Sequence, residues 1–308
     1  MAIKQTHHKR YLLAILLYII IACFLYAFIK NNISDIEKIK DITFDCLLYL
    51  IILISSTLLL LGLKTKLIVN HFNIHLSRKE WIGLGVINTF WNYIFLKGGV
   101  MARAVYLKKK NLSYSDFSSI IVVTHIISLM LFSFLSFIIF IFASFYFHIS
   151  FVKVIIFFLM IFLVMVLILN GSIKTKNKIL QLFLKNKDEI RKNKALITKL
   201  IFIEIIIIII YALRLKIIGD YLHYDIPIAI YLLTALFSNI SINILNIIPG
   251  GLGIKEAGAG FIFKIFNFNL EYGIMITLID RIIALFLILP LGIFFNIYLF
   301  LKPSKKPK

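Results

Sequence analysis

The sequence predicts an all-α polytopic membrane protein, with about seven transmembrane helices plus two re-entrant hairpins in an inverted repeat. Three observations predict it. Long apolar runs, almost free of charge, occupy positions 11–29, 47–63, 117–147, 151–169 and 200–218. Lys and Arg collect in alternate short segments between such runs. A Gly-Gly pair interrupts an apolar stretch twice, at Gly98-Gly99 and Gly250-Gly251, half a chain apart.

The runs are decisive for class. A helix needs about 20 apolar residues to cross a hydrocarbon layer about 30 Å thick. Of the 308 residues 61% are hydrophobic and 16% charged, where soluble domains carry roughly 25% charged residues. The first run is too long for a signal-peptide core, so it is expected as a retained span. A net charge of +20 would suit nucleic acid. Its placement in short loops instead follows the positive-inside rule, and nucleic acid is not expected as a partner. Cys23 and Cys46 form neither a disulfide framework nor a metal motif. No phosphate-binding loop, metal set or catalytic triad is present, so no cofactor is expected.

Taken in order, the loops alternate. Segments 1–10, 64–80, 100–116, 170–199 and 302–308 hold three, four, four, nine and four basic residues and are placed in the cytoplasm. Segment 31–45 carries Asp35, Glu37, Asp41 and Asp45 against two lysines, and 219–225 carries Asp220 and Asp225 with none; both are placed outside. Residues 81–96 lie between two cytoplasmic segments, so they form a hairpin that turns at Lys97-Gly98-Gly99. Residues 227–248 and 254–268 form a second, entering from the opposite face and turning at 249–253. The reading is one integral domain, 1–308, with repeat halves 47–148 and 200–300 and a basic loop at 170–199. It is multi-pass in the inner (cytoplasmic) membrane, with both termini cytoplasmic.

A shift of 152 residues lays 95–104 on 247–256, the span from Leu48 on that from Leu200, and 119–148 on 271–300. Inverted repeats of this kind bind their cargo at broken helices near the midplane. Glycine lets backbone approach a phosphate, and a helix start points free amides at it. Gly98 and Gly99 followed by Arg103, and Pro249, Gly250, Gly251 and Gly253 followed by Lys255, have that form. The bland alternative is close helix packing.

Intramembrane charges normally face partners or water. Arg281 is expected to face a cavity and Asp280 to pair with Lys255 or Arg103. Glu256 is expected to pair across the repeat interface. Glu204 and Arg214 are read as snorkelling near span ends, His125 as a packed histidine, and 132–147 as lipid-facing bulk. Asn88, Asn92, Asn239, Asn243 and Asn246 form polar stripes on the arms, fitting a wet cavity or interhelical hydrogen bonds.

The stretch 246–257, with its Pro-Gly-Gly-Leu-Gly-x-x-Glu-Ala core, resembles the signature of the membrane region of lysylphosphatidylglycerol synthases. Asn88 through Gly98-Gly99, residues 103–108 and 112–114, and Asp280-Arg281 with Pro290-Leu-Gly292 resemble other motifs of that family. Lys97 replaces an expected proline, and Thr124-His125 an expected acidic–arginine pair. The resemblance implies a stand-alone flippase-like member without the soluble aminoacyl transferase domain, one that translocates or binds phospholipid or lipid-linked intermediates. Site residues are then Asn88, Lys97, Gly98, Gly99, Arg103, Asn243, Asn246, Pro249, Gly250, Gly251, Gly253, Lys255, Glu256, Asp280 and Arg281, with none catalytic and none for metal. Membrane lipids, anionic or lipid-linked, are the expected partners. The alternatives are a membrane-embedded transferase acting on a lipid carrier, with Glu256 or Asp280 as base, or a non-catalytic partner subunit of a glycosyltransferase or synthase.

Overall fold

Helices follow wherever the sequence is continuously apolar, because backbone N–H and C=O groups in hydrocarbon must pair within their own segment. The computed structural model describes residues 43–148, 151–171, 185–245 and 249–301. The first expected span, 11–29, lies outside them. The described elements are all helical: α1 (Phe44–His71), α2 (Arg78–Ile94), α3 (Gly98–Lys108), α4 (Tyr114–Phe147), α5 (Val152–Asn170), the short α6 (Lys187–Lys192), α7 (Lys194–Tyr221), α8 (Ile228–Leu245), α9 (Ile254–Ile265) and α10 (Leu270–Asn296). A π-helical turn extends α10 through Leu301. Five described helices are long and apolar enough to cross a membrane: α1, α4, α5, α7, and α10 with its extension.

The helices run through one series twice. Helices α1 to α4 have 28, 17, 11 and 34 residues; α7 to α10 have 28, 18, 12 and 27. The stops correspond as well. Left-handed backbone ends α1 at Asn73 and α7 at His223, and it recurs after α3 at Asn111 and after α9 at Asn267. At each stop an N–H reaches back five residues: Ile74 to Val69, Tyr224 to Gly219, Leu112 to Leu107, Phe268 to Phe263. These are Schellman-type closures, which satisfy orphan carbonyls. The offset is 150 residues at the first stop and 156 at the second, because the second series is longer around its Gly-Gly turn.

Packing repeats too. Within each series successive helices pack on one another, and α2 lies on α10 as α8 lies on α4. Helices α1 and α7 pack together, and α5 lies along α4. Small residues permit the closest crossings. A Cβ on Gly85 would fall on the Leu58 carbonyl and the Gly62 backbone, and one on Gly273 would sit 2.7 Å from the Ala259 carbonyl. In lipid, such backbone approach replaces the hydrophobic drive between helices.

The two helical hairpins, α2–α3 and α8–α9, have their bases at opposite ends of the bundle. At one end Lys110 pairs with Glu80 at 2.7 Å, Lys185 with Asp116 at 2.8 Å and His71 with Glu189 at 3.5 Å. At the other, Tyr224 stacks on Tyr272 at 3.8 Å, and Phe266 packs against Phe147 and Phe151. The run 132–147 is not uniformly lipid-facing. Phe132, Phe140 and Ala143 are core, while Phe142, Phe145 and Tyr146 are exposed.

Candidate functional site

The first hairpin packs on the second turn. Helix α2 packs on the turn Pro249–Gly251, where the Tyr93 ring lies 2.9 Å from where a Gly250 Cβ would stand. Gly250, Gly251 and Gly253 all hold positive φ, at 64°, 63° and 80°. Only glycine adopts this without strain. The first turn reaches the same end with Lys97 in the left-handed region, at φ 55°, and exposed. Gly98 and Gly99 are buried, seated on the Trp91 and Asn88 carbonyls.

One amide at each turn is already satisfied by a side chain. Gly99 N–H donates to Asn92 Oδ1 at 2.9 Å, and Gly253 N–H to Glu256 Oε2 at 2.8 Å. The expectation of free backbone donors is therefore corrected at these two positions, and attention passes to side chains.

Two polar clusters lie along the buried face of α7, which carries Glu204, Tyr211 and Arg214. The ten residues from Glu204 to Arg214 span about 15 Å at 1.5 Å per residue. In the first cluster Lys64 pairs with Glu204, which also accepts from Ser128 Oγ at 2.6 Å. Arg103 contacts Thr65 Oγ1 and the Gly99 carbonyl, each at 3.4 Å, and lies over the Phe117 ring. In the second, Arg214 holds Asp280 in a fork, Nε to Oδ1 at 2.8 Å and Nη2 to Oδ2 at 2.7 Å. Arg281 Nε lies 2.8 Å from Glu256 Oε1, and its Nη2 donates to the Gly251 carbonyl at 3.2 Å. Lys255 stands over the Tyr211 ring.

Several expectations are corrected. Asp280 pairs with Arg214, not with Lys255 or Arg103. Arg281 is buried against Glu256 and the second turn, so Glu256 finds its partner within its own series. Glu204 and Arg214 do not snorkel; they are 6% and 7% exposed. His125 is not packed away. It is exposed on the surface of α4. Asn239 and Asn243 donate to carbonyls one turn back, and Asn88 Oδ1 is buried with no partner among the described residues. Pro249 lies in the second turn; Asn246 falls outside the described residues.

Sequence reasoning passed over Lys64, Tyr93 and Tyr211. Lys64 breaks an apolar helix and was a signal available beforehand. The tyrosines resemble the many other aromatics of the chain and carried none.

Among described residues no group of His, Cys, Asp and Glu could hold a metal. Two apolar grooves open on the helix surfaces. One of about 440 Å³ runs between α1 and α10, and one of about 420 Å³ lies between the first hairpin and the end of α10. The family model for the lysylphosphatidylglycerol synthase TM region matches residues 11–292. No curated protein and no solved structure matches.

Proposed function

We propose a lipid-translocating role for this chain, which belongs to the lysylphosphatidylglycerol synthase TM-region family and is a multi-pass membrane protein. The cargo is an anionic phospholipid or lipid-linked phosphate whose head group passes between the two polar clusters while its acyl chains stay in hydrocarbon. In this reading α2–α3 and α8–α9 are re-entrant hairpins dipping from opposite faces of the inner membrane, with the amino terminus and the Lys-rich tail in the cytoplasm. With the expected span 11–29 added to the five described ones, six spans surround them.

One observation carries the reading. Arg103, six residues into α3, and Lys255, two residues into α9, both follow a turn, and among the described residues neither has a carboxylate within 4 Å, whereas Lys64, Arg214 and Arg281 each have one. An unmatched charge within a membrane costs about 2.5–3.5 kcal/mol on insertion scales. An anionic head group supplies the missing partner.

The test uses purified protein in liposomes with a fluorophore-labelled phosphatidylglycerol. Wild type should equilibrate the label between leaflets, and Arg103→Gln and Lys255→Gln should each slow this at least about tenfold, as loss of about 1.4 kcal/mol of stabilisation implies. Movement no faster than in protein-free liposomes, with the wild type shown to be folded, would overturn the assignment.

A further inference from the structure

Helix α5 stands outside the doubled series of four helices, yet it has a fixed seat. It lies along α4, with Phe162 against Phe134 at 5.2 Å. Its Met165, Ile168 and Leu169 share one apolar cluster with Ile126, Ile127 and Met130 of α4 and with Ile197 and Ile201 of α7. The matching place beside α10 is open. The offset of 156 that relates Asn111 to Asn267 also relates Ser113 and Asn269, the caps of α4 and α10. It lays Ile126, Ile127, Met130 and Leu131 on Ile282, Ile283, Phe286 and Leu287. Spaced four apart in pairs, these form one stripe of the helix. On α4, Ile126 is 8% exposed; on α10, Ile282 is 47% and Phe286 79% exposed. On the neighbouring helix the offset is 150, and every buried residue of α1, from Cys46 to Val69, has a buried counterpart on α7. That offset lays Ile197 and Ile201 on Leu47 and Ile51. Leu47, Ile51 and the α10 stripe line the groove of about 440 Å³. The groove is the counterpart of the α5 seat, with no helix in it among the described residues.

We propose that the apolar run 11–29 docks in the groove between α1 and α10, as α5 docks beside α4 and α7. Each series then has five helices, led by an apolar span that packs on the last helix of the other. This rests on the repeat and is independent of what the bundle carries.

Three observations choose this occupant. Run 11–29 precedes α1 in the chain as α5 precedes α7, and it is uncharged and as long as α5. Residues 30–43 tether it to Phe44, and Leu47, one turn further on, is a wall of the groove. Such a tether reaches at most about 50 Å, at 3.3–3.6 Å per residue. It holds the run beside the groove at high effective concentration, so an acyl chain or a second copy competes with a neighbour already in place. Hydrophobicity does not drive helix against helix in lipid; the gain is van der Waals packing, which a preformed groove supplies.

The experiment places the photoreactive residue benzoylphenylalanine at Phe286, or separately at Ile282, in the full chain within its membrane. On irradiation the excited ketone inserts into a neighbouring C–H bond, and digestion with mass spectrometry identifies what it joined. Each position should join a peptide from 11–29, with no dimer-sized band on a denaturing gel. The same group at Phe157, exposed on α5, should join lipid and not that peptide. Replacing Phe286 keeps an aromatic ring on an exposed face, and Ile282 gives a second position should the first disturb folding. Adducts to lipid alone at both positions would assign the groove to acyl chains, and a dimer-sized band would assign it to a second copy. Either result, or the absence of 11–29 from the adducts at both positions, overturns the proposal.

Discussion

Arg214 and Asp280 show how much rests on single pairings inside this bundle. Both are nearly enclosed, with side chains 8% and 7% exposed, and their fork leaves neither carboxylate oxygen without a donor. Removing one partner strands a buried charge, which costs about 3–5 kcal/mol, whereas replacing both with apolar groups is far cheaper. Arg214→Ala and Asp280→Ala should therefore each lower the thermal midpoint in detergent sharply, and Arg214→Met with Asp280→Leu should recover most of the loss. A double variant as unstable as the singles would contradict this. At the base of the first hairpin, burial pushes the Glu80 carboxyl up, but donors from Lys110, Tyr106 and Ser77 outweigh it and bring it from 4.5 down to about 2. A depressed carboxylate stabilises the fold above its unfolded value. That contribution should persist above about pH 4.5 and fade as pH drops toward 2. Glu80→Gln should flatten the acid limb of a stability–pH profile measured in detergent; an unchanged slope would remove Glu80 from the account. Which pairs form was not legible in the sequence. Spacing placed Asp280, Arg281, Lys255 and Glu256 in one region, but partner choice depends on which face of α7 turns inward, and that face is apolar on both sides of Arg214.

At the scale of elements, the sequence was more informative, and the reason is steric. Continuous apolarity marked α1, α4, α5, α7 and α10, and the Gly-Gly pairs marked both turns, because left-handed backbone and close approach admit little else. The stops at Asn73, Asn111, His223 and Asn267 escaped notice, since a non-glycine residue at positive φ announces itself weakly in composition. The crossings depend on absent side chains. Gly85→Ala would place a methyl on the Leu58 carbonyl, and Gly273→Ala would crowd the Ala259 carbonyl at 2.7 Å. Backbone on backbone cannot yield by rotamer change, so each helix pair must separate. Overpacking of this kind costs about 1–3 kcal/mol. Both variants should unfold at lower denaturant than wild type; a wild-type midpoint for Gly85→Ala would mean that α1 and α2 pack less closely than described.

For the whole molecule, the contact pattern is preserved when the two series are exchanged: α2 on α10 mirrors α8 on α4, and α1 on α7 maps onto itself. With the hairpin bases at opposite ends, such an exchange reverses the bundle end for end. Placed in a bilayer, that puts Asn111 and Asn267, the matching stops after α3 and α9, on opposite faces. Loop charge decides which is which: Lys108, Lys109 and Lys110 precede Asn111, whereas the Asn267 end gathers aromatics, with Phe266 against Phe147 and Tyr224 against Tyr272. On the proposed topology, the positive-inside rule expects Asn111 on the cytoplasmic side. In a background with Cys23→Ser and Cys46→Ser, a membrane-impermeant maleimide added to intact cells should modify Asn267→Cys and spare Asn111→Cys, and inverted vesicles should reverse the order. Lys97→Cys, at the tip of the first hairpin, should react more slowly than Asn111→Cys from the cytoplasmic side, because a turn at membrane depth sees less water than its base. Labelling of 111 and 267 from one face would mean that the two hairpins enter together. Arg103 and Lys255 could then no longer serve as stations on one path across the membrane, and the translocating role would lose its route.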